Sequence, residues 1–216
     1  MRIKGFTLAE VLITLAIIGV IAAISVPSLI QKTNSEELKV QLKKNYATVN
    51  QALAKLAFDN GSLKSLCTAN YNDCFSNLMG NYVKTIKKCP VGTAAGNCWN
   101  NDGEWYTPSG AAYGTSWRNA IKAQSGMIFN NGTFLLLSYD PTCSSDGRFC
   151  GGMIMDTNGF KKPNIVSKDI FIFYYDDNTQ SILPDGPSLG TGSVCDTTSE
   201  NGSFQCSEDR LIGKGW

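Results

Sequence analysis

From Phe6 to Ile30 the chain runs for 25 residues with a single charge, Glu10. At ~1.5 Å per residue a helix of that length reaches ~37 Å, enough to cross a hydrocarbon core of ~30 Å. Arg2 and Lys4 precede the run, and Lys32 follows it. Basic residues ahead of the span predict a cytoplasmic N-terminus and place the rest of the chain on the far side. A conventional secretory signal fits poorly. Its apolar core would be ~7–15 residues long, uninterrupted, and followed by a small-residue cleavage site. Glu10 also needs an explanation, because a carboxylate in an apolar helix is costly and the span offers no Lys or Arg to pair with it. Either it snorkels to the headgroups or it is kept for a cation supplied from elsewhere.

The remaining composition narrows the function classes. The chain has no His, which removes Ser-His-Asp and Cys-His catalysis and most proton shuttling near neutral pH. Carboxylate pairs and Lys are the acid/base routes left, so enzyme activity is not expected. A formal net charge of +1 gives no electrostatic footprint for nucleic acid. The eight Cys fall into four close pairs without a Cys-x-x-Cys motif, which argues against a zinc site and for disulfides made in an oxidising compartment. The sequential pairing is favoured: Cys67–Cys74, Cys89–Cys98, Cys143–Cys150 and Cys195–Cys206. Each bond would close a short polar loop and stiffen it rather than create the fold.

The segment Lys-Gly-Phe-Thr-Leu-Ala-Glu-Val-Leu-Ile-Thr-Leu-Ala-Ile-Ile-Gly-Val-Ile-Ala-Ala resembles the class III signal of type IV pilins and type II secretion pseudopilins. The resemblance covers residues 4–30. It implies that prepilin peptidase cuts after Gly5 and methylates Phe6, and that Glu10 is the assembly carboxylate. It makes Pro27 the helix-kinking proline, where the carbonyl of Ala23 would lose its helical donor. The new amine of Phe6 would be mostly cationic at neutral pH, so it can pair with Glu10 of a neighbouring subunit and set the axial register. The implied organisation is a leader at 1–5, a transmembrane and filament-core helix at 6–30, and a periplasmic or extracellular pilin-like domain at 31–216. Its partners would be prepilin peptidase, copies of itself, other pilin-like subunits and an inner-membrane assembly platform. A localisation follows: a single-pass inner-membrane protein first, then part of a filament.

Periodicity predicts the rest. Leu38, Leu42, Tyr46, Val49, Leu53 and Leu56 mark one helical face over Glu36–Phe58, and Asn60-Gly61 stops it. A second helix is predicted from Asn72-Asp73 to Cys89-Pro90, with Phe75, Leu78, Met79, Tyr82, Val83 and Ile86 on one face. Residues 90–116 read as an irregular loop, with a short helix at 116–122. Five strands are expected: 127–129 and 133–139 joined by an Asn-Gly turn, then 152–155, 169–175 and 180–183. The apolar run at 169–175 reads as an inner strand, and the tail at 184–216 as a loop. The fold class is therefore α+β, a long N-terminal helix packed on a short antiparallel β-sheet, as the resemblance also implies.

Two further features are weighed. Asp156-Thr157-Asn158-Gly159 with Asp169 could offer calcium oxygen ligands, as major secretion pseudopilins do in such a loop. The EF-hand pattern fails, however, with Ser167 where a bidentate Glu would stand, so a plain turn is preferred and no cofactor is expected. Trp99, Trp105, Tyr106, Tyr113 and Trp117 could form a ligand platform of a minor, adhesin-like or DNA-binding subunit, or a small satellite core. The satellite core is preferred, and the expected function is a structural filament subunit.

Overall fold

The structure is a computed structural model, and it describes residues 5, 7–100, 105–113, 123–144, 147–186, 189, 194–198 and 204–215, the side chains of 31 and 32 excepted. Helix α1 spans Leu8–Asn60 and continues through Pro27. The chain divides into two compact units, residues 1–37 and 38–216, so α1 contributes to both.

In the first unit the apolar side chains lie open all round the helix. Leu8, Ile18, Ile24 and Leu29 are each exposed. Thr14 and Ser28 donate their hydroxyl protons back to the carbonyls of Val11 and Ser25 at 2.9 and 3.0 Å. A helix in lipid must satisfy its polar groups internally, and these two do so. By length and composition this stretch can cross a membrane.

In the second unit α1 is amphipathic. Leu38, Leu42, Val49, Ala52, Leu53 and Leu56 are buried, while Lys43, Lys44 and Gln51 are exposed. The helix stops where Gly61 takes a φ of +89° and returns its N–H to the carbonyl of Ala57. Two short helices follow, α2 at Leu63–Leu66 and α3 at Tyr71–Met79. Six strands then form one antiparallel sheet in sequence order: β1 Thr85–Cys89, β2 Ser125–Phe129, β3 Phe134–Tyr139, β4 Phe149–Asp156, β5 Ile170–Asp176 and β6 Ser181–Pro184. Helix α4, Ser207–Leu211, closes the tail.

Strand register sorts the apolar side chains into two cores. Met127, Leu135, Met155 and Phe171 form one row across β2–β5 and pack in the cluster that includes Leu42, Leu53 and Phe75. The adjacent row, Leu136, Ile154 and Ile172, belongs to a second cluster with Trp99, Trp105, Tyr113 and Phe204. Alternate residues of a strand point to opposite faces, so the sheet is covered on both sides. That explains why β5 is apolar on both faces from Ile170 to Phe173.

Three expectations are corrected. The second helix does not reach Cys89. It ends at Met79, and Thr85–Cys89 pairs with β2 as an edge strand. Val83 is buried as a helical face would require, but Ile86 is exposed, which no helical face would explain. The ladder to Met127 and Ile128, with Cys89 bonded to Cys98, outweighs the local periodicity. The sheet therefore has six strands where five were expected. The tail carries α4 rather than loop alone. The short helix expected at 116–122 lies outside the described residues, as does Trp117.

Candidate functional site

The N-terminal site is built on the start of α1. Thr7 stands immediately before the helix and Glu10 three residues later. The Thr7 N–H and hydroxyl both donate to Glu10 Oε2 at 2.8 Å, and the Glu10 N–H donates to Thr7 Oγ1 at 3.3 Å. This reciprocal arrangement is a capping box, which satisfies two of the otherwise open donors of a helix start. Its signature, Thr-x-x-Glu before an apolar run, is legible in the sequence but was not used there. Glu10 is exposed and held only by neutral donors of its own chain among the described residues, so a cation can reach it. Gly5 is exposed, and a Cβ added to it would meet nothing within 4 Å. Phe6 lies outside the described residues. Pro27 sits within α1.

The eight cysteines form four bonds between sequence neighbours: Cys67–Cys74, Cys89–Cys98, Cys143–Cys150 and Cys195–Cys206. The first joins the end of α2 to α3. The second ties β1 to the loop that follows it. The third closes the connection between β3 and β4, and the fourth anchors the tail before α4. Gly126 in β2 makes room for the second: a Cβ there would come within 2.9 Å of Cys98 Cβ.

Of the aromatic loop, Trp99, Trp105 and Tyr113 are buried. Trp99 and Trp105 stack edge to face at 5.6 Å, and Phe204 lies 5.9 Å from Trp105. These rings form the satellite core and present no flat surface to a ligand.

The third place of interest is the β4–β5 connection. Asp156 Oδ1 accepts from the N–H groups of Asn158 and Gly159 at 3.1 and 2.8 Å, which makes the tight turn. Asp169 accepts from the N–H of Asn164 at 2.8 Å, from the N–H of Ile165, and from Asn158 Nδ2 at 2.9 Å. Both aspartates are wholly buried. Burial pushes the Asp169 carboxyl up to about 6. Burial first, and then the charge of Asp169, hold Asp156 well above the usual carboxylate range. The sequence brought Asp156, Asn158 and Asp169 together and named Ser167 only as a break in the EF-hand pattern, and it missed Arg210. Ser167 is buried in the same loop, and its carbonyl accepts from Arg210 Nε at 2.8 Å. No group of three or more His, Cys, Asp or Glu suited to a metal ion occurs among the described residues.

No curated protein and no solved structure was found to match the chain. Residues 1–26 match the family described as the prokaryotic N-terminal methylation motif. Gly5, the capping box at Glu10 and the open apolar helix all fall in or directly after that stretch, so the N-terminus of this chain carries the prepilin signature of type IV pilin and pseudopilin precursors.

Proposed function

We propose that this chain is a structural subunit of a type IV pilus or a type II secretion pseudopilus. Prepilin peptidase would remove residues 1–5 and methylate Phe6, and the mature protein would polymerise from the inner membrane. The observation that carries the reading is the motif at residues 1–26 leading into a helix whose apolar side chains are open all round. Such a surface needs lipid before assembly and other helices after it. In the filament, the Phe6 amine of one subunit would pair with Glu10 of another, an arrangement that leaves no charge alone in an apolar core. Contacts of this head-to-tail kind generate open helical polymers. The adhesin or DNA-binding alternative relied on an aromatic platform, and the burial of Trp99, Trp105 and Tyr113 speaks against it.

Mass spectrometry of the mature protein tests the reading. It should begin at methylated Phe6. Gly5→Val should leave the precursor uncut in the membrane without disturbing the fold, because the space around Gly5 is open. A mature chain starting beyond Ala23 would mean ordinary signal cleavage and would end the filament proposal.

A further inference from the structure

We propose that the β4–β5 loop and the end of α4 form a docking surface for an anionic lipid leaflet, with Phe160 as the apolar contact and Lys161, Lys162 and Lys168 as the charges that meet the headgroups. The inference rests on the reading that residues 6–30 cross a membrane. Phe160 is 57% exposed, although its ring meets Phe134 edge to face at 4.4 Å. The three lysines are exposed, and none makes an ion pair or a side-chain hydrogen bond among the described residues. Between Thr157 and Lys168 no other charged residue occurs. The acids that flank the stretch, Asp156 and Asp169, are wholly buried and bonded to N–H groups of the loop itself. The loop thus turns its negative charge inward and shows solvent an aromatic ring among cations. That is the composition of a surface that binds anionic bilayers: the ring enters the headgroup boundary while the lysines reach the phosphates. The loop is also shaped in advance. Asn100 Nδ2 donates to the Gly159 carbonyl at 3.4 Å, and Gly159, at φ +64°, lies so close to the β2–β3 turn that a Cβ would strike the Gly132 carbonyl. Little ordering is left for the moment of contact.

Two sets of bonds place this surface where α1 enters the second unit. Thr133 Oγ1 donates to the carbonyl of Thr157 at 3.3 Å and accepts from Asn45 Nδ2 at 2.7 Å and Gln41 Nε2 at 3.2 Å. On the other side, Arg210 of α4 donates through Nε to the Ser167 carbonyl at 2.8 Å and through Nη1 to the Lys214 carbonyl at 2.9 Å. A Cβ on Gly213 would lie 3.7 Å from Lys39 Nζ. Exposed Ile212 and Lys214 therefore extend the surface towards the start of the domain. Gln41 follows Ile30 by eleven residues. At ~3.3–3.6 Å per residue, the chain between them holds Gln41 within ~40 Å of the end of the span, whatever its path. A tether of that length keeps the leaflet at high local concentration, so a few weak charge contacts suffice. Docking holds the unassembled subunit's head against the leaflet and is given up when the subunit leaves the membrane.

The test uses the full chain in phosphatidylcholine vesicles, with or without about 30% phosphatidylglycerol, and a membrane-impermeant acylating reagent read at each lysine by mass spectrometry. Lys161, Lys162 and Lys168 should react about fivefold more slowly in the anionic vesicles, while Lys87 and Lys88 of β1 keep their rates. Sodium chloride at about 0.5 M should restore the rates, because it shortens the screening length to a few Å. Lys161→Gln, Lys162→Gln and Lys168→Gln together should remove the protection of Lys214, and Phe160→Ala should reduce the protection of Lys161 by about half. All four replaced side chains are exposed, so the variants should keep the near-ultraviolet circular dichroism of the parent. Equal rates in the two kinds of vesicle, equal slowing at Lys87 and Lys88, or slowing that survives the salt would each overturn the proposal. Greater slowing of the same lysines by duplex DNA, added to phosphatidylcholine vesicles, would overturn it in favour of nucleic acid. Flotation of the vesicles at alkaline pH separates this inference from the reading beneath it. A chain that does not float refutes the span and the surface together, whereas a chain that floats with unprotected lysines refutes the surface alone.

Discussion

Asn50 and Tyr46 of α1 are predicted to hold the β6 edge of the sheet closed. Ile182 lies in β6, an outer strand, and the side chain is wholly buried. Its N–H donates to Asn50 Oδ1 at 2.8 Å, and its carbonyl accepts from the Tyr46 hydroxyl at 3.1 Å. Two helix side chains thus take the place of a seventh strand and satisfy an edge that would otherwise offer itself for pairing. Asn50→Ala leaves a buried N–H without an acceptor, which costs about 1–3 kcal/mol. Tyr46→Phe removes one hydrogen bond, about 1 kcal/mol, and keeps the ring on Phe173, whose centroid is 5.6 Å away. Both bonds go to one residue, so the double variant should depart from additivity by about 0.5 kcal/mol or more. For a domain of this size each kcal/mol moves the melting midpoint by roughly 2–4 °C. Thermal unfolding of the four proteins completes the cycle. An Asn50→Ala midpoint within about 1 °C of the parent would show that water or a shifted side chain satisfies the edge, and the covering argument would be wrong.

Two further outcomes follow from particular atoms. Gly126→Val should destabilise by about 1–3 kcal/mol and slow formation of the Cys89–Cys98 bond, because even the new Cβ would lie 2.9 Å from Cys98 Cβ, and thiol alkylation during refolding reads this directly. Asp185, whose carboxyl burial raises to about 6, favours the folded state most while protonated, and that advantage is lost as pH climbs from about 4 through about 6. Asp185→Asn should therefore match the parent near pH 4 and exceed it at pH 7, as measured by denaturant midpoints at the two values.

The spine helix, the Asn-Gly hairpin and the inner strand could be read from the sequence because each is a local pattern. Leu38 to Leu56 repeats at helical spacing, Asn131-Gly132 has few other uses between apolar runs, and β5 is apolar on both faces because both faces are covered. Strand β1 could not be read in the same way. Val83, just before it, and Ile86 within it continue the period of α3, and only pairing with β2, remote in sequence, turns Thr85–Cys89 into a strand. The N-terminal motif is legible because it is a linear pattern, an apolar run broken by the single carboxylate Glu10. The β4–β5 loop is only half legible. Asp156, Asn158 and Asp169 stand out by residue type, but the bond from Arg210 to the carbonyl of Ser167 joins positions 43 residues apart, which spacing does not encode.

The most direct test of the filament account is the yield of assembled fibre from Glu10→Gln. Gln is accepted at the same position of a capping box, so the start of α1 should remain intact while the charge is lost. The variant should be inserted, cleaved and methylated at Phe6, and should contain no free thiol. Sheared filaments counted by electron microscopy, against immunoblots of the membrane pool, should nevertheless fall by roughly tenfold or more. Parent-level fibre from Glu10→Gln would contradict the account, because it would mean that the carboxylate serves only the capping box and that apolar helix packing alone drives assembly.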